Sequence, residues 1–172
     1  MMYGFENHDI DEITDNLYLG NYVASIDISM LKKKGIKKIL TVMNGSNLKY
    51  DIEDGFIQEK VEIVDFSDQN IIQYFGKCLN FIQGEEKVLV HCAAGASRSA
   101  TIVIAYLMWA KKMKYDDAYQ LVRDKRFIIC PNCGFREQLK MFEKLLIENN
   151  YDLYSINFNE IKWEPPKDFS YF

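Results

Sequence analysis

Apolar residues recur along the chain with two spacings, alternate positions and every third or fourth position, and these divide it into strands and helices. Ile13 to Leu19 reads as a first strand closed by Gly20. Asn21 to Lys34 places Val23, Ile26, Met30 and Leu31 on one helical face, with Gly35 as its stop. A short strand over Ile36 to Met43 follows, then a polar loop from Asn44 to Gly55, then a strand over Phe56 to Val64. Ile71, Ile72, Phe75, Leu79 and Ile82 share a helical face, and Asp68 is a residue type favoured as the N-cap of that helix, which ends near Gly84. Val88, Leu89 and Val90 form the apolar, β-branched run of a strand covered on both faces. From Ser99 to Met113, the residues Ala100, Val103, Ile104, Leu107 and Met108 keep helical spacing while other faces are apolar too, which predicts a helix buried all round. Tyr115, Ala118, Tyr119 and Val122 mark a shorter helix with Asp116 or Asp117 near its start, and Phe135, Leu139, Phe142 and Leu146 mark a long one.

Strands alternating with helices predict a single α/β domain over residues 10–148, with a central, mostly parallel sheet of about five strands flanked by helices on both faces. Beyond it, Tyr151, Tyr154, Phe158, Trp163, Phe169, Tyr171 and Phe172 are too many aromatics for a solvated linker. Tyr154, Ile156 and Phe158 alternate with Ser155, Asn157 and Asn159, as in an extended segment with one covered face. The aromatic extension over residues 149–172 is expected to pack on its own domain, a homodimer contact or partner site being the alternative.

Composition narrows the function. A chain of 172 residues has room for one domain of this kind, and its net charge of −4 argues against general nucleic-acid binding, so any anion site must be local. The basic run Lys32, Lys33, Lys34, Lys37 and Lys38 reads as a solvated helix end, a docking patch for an acidic partner being the lesser reading. No apolar run reaches the roughly 18 residues of a membrane span, and the first residues form neither a basic leader nor a myristoylation site. With four cysteines and no leader, the expectation is reduced thiols, a cytoplasmic location with nuclear access, no membrane partner and a monomer rather than a homodimer.

The candidate chemistry lies between the central strand and the buried helix. Cys92 and Arg98 are separated by Ala93, Ala94, Gly95, Ala96 and Ser97, all small. Small residues let successive main-chain N–H groups turn inward as an anion-binding nest, and the helix that follows adds the positive end of its dipole. Arg98 supplies a planar fork able to hold two phosphate oxygens at once. A helix N-terminus and a neighbouring cation favour the thiolate of Cys92, which is the nucleophilic form. The plainer reading of Cys92, an inert thiol at a strand end, requires neither the small-residue turn nor the arginine.

The run His91-Cys92-x-x-Gly95-x-Ser97-Arg98-Ser99 resembles the signature of the cysteine-dependent protein tyrosine phosphatases, and specifically their dual-specificity branch. Leu17-Tyr18-Leu19-Gly20, Gly35-Ile36, Tyr74-Phe75, Ile104-Ala105-Tyr106-Leu107-Met108 and Pro131-Asn132 before Gly134-Phe135 are similar to that family's landmarks, in its order. The resemblance implies hydrolysis of phosphotyrosine and phosphoserine or phosphothreonine in a protein substrate through a phosphocysteine intermediate. It implies Cys92 as nucleophile, Arg98 and the N–H groups from Ala93 to Arg98 as phosphate ligands, and Ser99 as stabiliser of the departing thiolate. It also implies Asp65, ten positions before Phe75, as general acid, with Asp68 as competitor for that assignment. His91 is expected to orient Cys92 rather than transfer protons, and Asn132 to serve as a turn or cap residue. No metal or cofactor is implied. Phosphoinositide or RNA 5′-phosphate hydrolysis, or phosphate binding without turnover, are the alternatives. The first two tend to go with basic residues or a histidine in the loop, where this chain has Ala93, Ala94 and Ala96. Cys130 and Cys133 form a Cys-x-x-Cys pair, but a zinc site lacks further ligands and a redox pair belongs early in its fold, so both are read as incidental.

Overall fold

In the computed structural model, residues 8–166 are described. Among them, five strands form one sheet in the order β1-β2-β5-β3-β4, with β1 (Ile10–Thr14) antiparallel to β2 (Leu17–Gly20). The pairings of β2 with β5 (Lys87–His91), of β5 with β3 (Ile36–Val42) and of β3 with β4 (Ile57–Val61) are all parallel. The predicted α/β architecture is therefore present, and β5, which delivers Cys92, is the central strand.

The period of two in β5 sends its side chains to two cores. Val88 and Val90 join the larger cluster with α3 (Phe75–Ile82), α4 (Arg98–Ala110), α5 (Tyr115–Lys125) and α6 (Cys133–Glu148). Leu89 turns to the smaller cluster with Tyr18, Ala24, Leu31, Ile36 and Ile39, which involves α1 (Tyr22–Ile26) and α2 (Ile28–Lys34). Helices thus cover both faces. Helix α4 has nine buried residues among its 13, in line with its all-round apolar sequence.

Several elements differ from the sequence-based expectation. The first strand is a hairpin, because a turn at Asp15-Asn16 folds β1 back on β2. The helix predicted from Asn21 to Lys34 breaks at Asp27, whose backbone N–H closes α1 on Ala24 O and whose carboxylate accepts from Met30 N at 2.9 Å to start α2. Asp68 does not cap α3. That region enters through a 3₁₀ turn, Ile72–Tyr74, and buried Gln138 of α6 accepts from Ile71 N and Ile72 N at 2.9 and 3.1 Å. Strand β4 ends at Val61 and α4 at Ala110, both three residues earlier than expected.

The C-terminal segment is not extended. It forms 3₁₀ turns at Leu153–Ser155 and Phe158–Glu160, so that Leu153, Ile156 and Phe158 are covered and Tyr154 stays 80% exposed. Phe158 packs near Phe142 of α6, with ring centroids 6.1 Å apart, and Trp163 Nε1 donates to Ser67 O at 2.8 Å. Phe169, Tyr171 and Phe172 lie outside the described residues.

Candidate active site

Strand β5 ends at His91 and α4 begins at Arg98, so residues 92–97 turn at the carboxyl end of the central strand. What orients this turn is visible at its carbonyls. Cys92 O accepts from His91 Nδ1 (3.4 Å), Ala93 O from Tyr22 N (3.0 Å), and Ala96 O from Cys130 N (2.8 Å). Arg126 takes the two between, donating from Nη2 to Ala94 O (3.3 Å) and from Nε to Gly95 O (2.8 Å). Ser97 O accepts from Thr101 N and Oγ1. Every peptide among the described residues is trans, so each carbonyl drawn outward turns the next N–H inward. The nest inferred from small residues is thus held open from outside.

Gly95 is required by this geometry. Its φ is +68°, and an added Cβ would lie 2.5 Å from Gly20 O. Its N–H points to Cys92 Sγ at 3.2 Å, and Ser99 Oγ donates to the same sulfur at 3.1 Å. Cys92 is 2% exposed and sits at the floor of the turn with two hydrogen-bond donors on its sulfur. Ser97 is the N-cap residue of α4 but leaves the helix uncapped by its side chain, because its hydroxyl is directed elsewhere.

That hydroxyl donates to Asp65 Oδ1 at 2.7 Å, and Asn132 Nδ2 donates to the same oxygen at 2.9 Å. Asn132 is itself fixed, since its Oδ1 caps α6 by accepting from Phe135 N at 2.9 Å and its N–H donates to Ser97 Oγ. Close packing holds the segment carrying Asp65 against α6, where a Cβ on Gly134 would collide with the Ser67 backbone. Asp65 Oδ2 is left on the side of Arg98, 4.0 Å from its Nε. Asp68, the competitor, is exposed. Arg98 is braced by Nη1, which donates to Ile63 O (3.2 Å) and Asn44 Oδ1 (3.3 Å), whereas its Nε is buried with no hydrogen-bond partner. A buried cationic N–H without an acceptor is costly unless an anion completes the site.

His91 is fully buried, with Nε2 2.8 Å from Thr41 Oγ1. Burial lowers its pKa from 6.5 to about 4, against the smaller opposing effect of the Cys92 carbonyl. The neutral ring therefore donates from Nδ1 to Cys92 O and accepts at Nε2 from Thr41. The unfolded chain takes up a proton near pH 6.5 that the folded protein refuses until about pH 4. The stability contributed by neutral His91 is therefore complete above pH 6.5 and is lost as pH falls toward 4. We expect about 2 kcal/mol to disappear from this source between pH 7 and pH 5. Urea unfolding of wild type and His91→Asn at both pH values measures it; an equal loss in the two proteins would contradict it.

Sequence reasoning anticipated Cys92, Arg98, Ser99, His91, Asn132, Asp65 and the small loop residues, and all of them converge here. It missed Arg126, Tyr22, Thr41 and Gln138. Arg126 is 1% exposed and also donates from Nη1 to His8 O and Asp11 Oδ2, both at 2.6 Å. Cys130 is exposed and Cys133 is the first residue of α6. Among the described residues, no group of three or more His, Cys, Asp or Glu side chains is arranged to hold a metal ion.

A thiol beneath an inward-facing amide nest, backed by an arginine and overhung by a carboxylate, defines the cysteine-dependent phosphatase class. The chain belongs to the dual specificity phosphatase catalytic-domain family, whose model matches residues 17–145. It is 41% identical over 136 residues to dual specificity protein phosphatase 1 of Arabidopsis thaliana, covering 77% of this chain and 68% of that one. It is 39% identical over 145 residues to dual specificity protein phosphatase 1B of the same plant, covering 82% and 86%. Among solved structures, the human tyrosine phosphatase-like serine/threonine/tyrosine-interacting protein superposes with a TM-score of 0.75 at 37% identity, covering 80% of this chain and 97% of that one. The protein is accordingly a protein phosphatase acting on phosphoproteins.

Proposed function

We propose that the enzyme hydrolyses both phosphotyrosine and phosphothreonine or phosphoserine in proteins, through a covalent phosphocysteine. The observation that carries this reading is the sulfur of Cys92 at the floor of a nest whose carbonyls are all drawn outward, beside a buried Arg98 Nε with no protein acceptor. In the first half-reaction the thiolate of Cys92 attacks phosphorus, the bond to the side-chain oxygen breaks, and Asp65 gives that oxygen a proton. The inward N–H groups and Arg98 hold the equatorial oxygens as charge redistributes. In the second half, water attacks phosphorus and yields its proton to Asp65. The P–S bond breaks, and Ser99 Oγ and Gly95 N–H receive the returning thiolate, for which they already stand 3.1 and 3.2 Å from the sulfur. Ser97 and Asn132 position Asp65 by occupying Oδ1, which leaves Oδ2 as the oxygen that exchanges the proton.

Range follows from what surrounds this site. Cys92 lies only 27 positions after Asp65, most of them spent on α3 and β5, so little chain is left to build a deep cleft that only an aryl side chain could span. Ala93, Ala94 and Ala96 add no positive charge for a polyanionic lipid or nucleotide head group. The test is kcat/KM on matched peptides that differ only in the phosphorylated residue, beside a phosphoinositide and an RNA 5′-phosphate. Turnover of both phosphotyrosine and phosphothreonine peptides is expected. Undetectable phosphothreonine turnover, or a preference for lipid or RNA, would refute the proposed range.

A further inference from the structure

Among the described residues, ten large hydrophobic side chains are exposed, and six of them sit on three segments tied to the phosphate cradle. Tyr22, Val23 and Ile26 belong to α1, whose Tyr22 N–H holds Ala93 O and whose Tyr22 ring lies 6.5 Å from that of His91. Phe66, 66% exposed, follows the carboxylate that Ser97 binds. Phe127, 64% exposed, and Ile128 follow the arginine that holds Ala94 O and Gly95 O. The exposed loop side chains between them are Ala93 and Ala94. Apolar residues scattered singly over a surface need no explanation, whereas six gathered around one polar opening mark an interaction surface.

Charge narrows what this surface accepts. Residues 22–26, 65–67 and 126–128 contain one cation, Arg126, which is buried and already has four acceptors. The nearby carboxylates are also engaged: Asp9 by Asn21 Nδ2 at 2.7 Å, Asp11 by Arg126, and Asp65 by Ser97 and Asn132. An acidic stretch beside the phosphoresidue finds no counter-charge on these segments, while an apolar side chain finds surface that loses water on contact. We infer that the rim of the cradle binds large apolar side chains flanking the phosphorylated residue of a protein substrate, and so selects apolar over acidic sequence contexts. This rests on the phosphatase reading above, with continuity between rim and cradle fixing the occupant as the substrate's own flanks.

The test uses the full chain and two phosphotyrosine peptides identical except for their flanks, leucine and phenylalanine in one and aspartate and glutamate in the other. The apolar peptide should have a kcat/KM about tenfold higher or more, an effect equivalent to burying part of one side chain. Phe66→Ser and Phe127→Ser together should bring that ratio to within about twofold, whatever the absolute rates. Both rings are exposed, so the substitutions spare the core. Equal rates on the two peptides, a preference for the acidic one, or a preference that survives both substitutions would overturn the proposal. So would binding of phosphatidylcholine vesicles that the two substitutions abolish, since the rim would then belong to a lipid surface. Wild-type turnover of a small aryl phosphate, which has no flanks, separates the two claims: none would remove the phosphatase reading and this proposal with it, whereas turnover without flank preference removes this proposal alone.

Discussion

Cys92→Ser loses turnover by on the order of 10⁴-fold or more while phosphate is still bound. The hydroxyl is similar in size to the thiol but stays protonated at neutral pH, so no strong nucleophile remains beneath the phosphorus. Nothing else in the cradle changes, because its donors are main-chain N–H groups and Arg98, and its carbonyls are held by Tyr22, Arg126, Cys130 and His91. Inorganic phosphate should therefore still raise the thermal unfolding midpoint of the variant. Residual hydrolysis within about tenfold of wild type would remove Cys92 from the reaction.

Asp65→Asn separates proton transfer from architecture. The amide oxygen still accepts from Ser97 and Asn132, so the segment keeps its place, but the group can no longer give up a proton to a leaving oxygen. General acid catalysis contributes typically ~10²–10⁴-fold and matters most when the leaving group is poor. The loss should fall in that range on phosphotyrosine and phosphothreonine peptides and be far smaller on an activated aryl phosphate, as steady-state rates on both substrates will show. Equal losses on both would give Asp65 a structural role. Asp68→Asn, at an exposed position outside the site, should stay within about twofold of wild type.

The central strand, its loop and the buried helix were legible because their signals are local: an apolar β-branched run, a string of small residues, and an apolar block too long for a strand. Asp27 shows where local reading fails, since one aspartate both ends α1 and caps α2 without interrupting the hydrophobic spacing on either side. Asp68 failed for a different reason. It is a favoured capping type, but the amides it was expected to satisfy are taken by Gln138, which follows Ile71 by 67 positions and is brought there only by the packing of α6. Arg126 was missed in the same way. A charged residue ahead of Phe127, Ile128 and Ile129 looks like a helix end in solvent, and nothing local reveals that the fold buries it against carbonyls more than thirty positions earlier. Cys92, Arg98 and the small residues could be read from the loop itself; of the groups that hold its peptide planes only the adjacent His91 could, because Tyr22, Arg126 and Cys130 come from α1 and the segment before α6.

Most direct for the central claim is rapid quenching of the enzyme in acid during turnover of a phosphotyrosine peptide, followed by mass spectrometry of its proteolytic fragments. One phosphate is expected on the fragment containing Cys92, attached to sulfur. It should accumulate further when water attack is slowed by Asp65→Asn with an activated aryl phosphate as donor, and be absent in Cys92→Ser. Efficient turnover with no phosphate on Cys92 in either protein would contradict it.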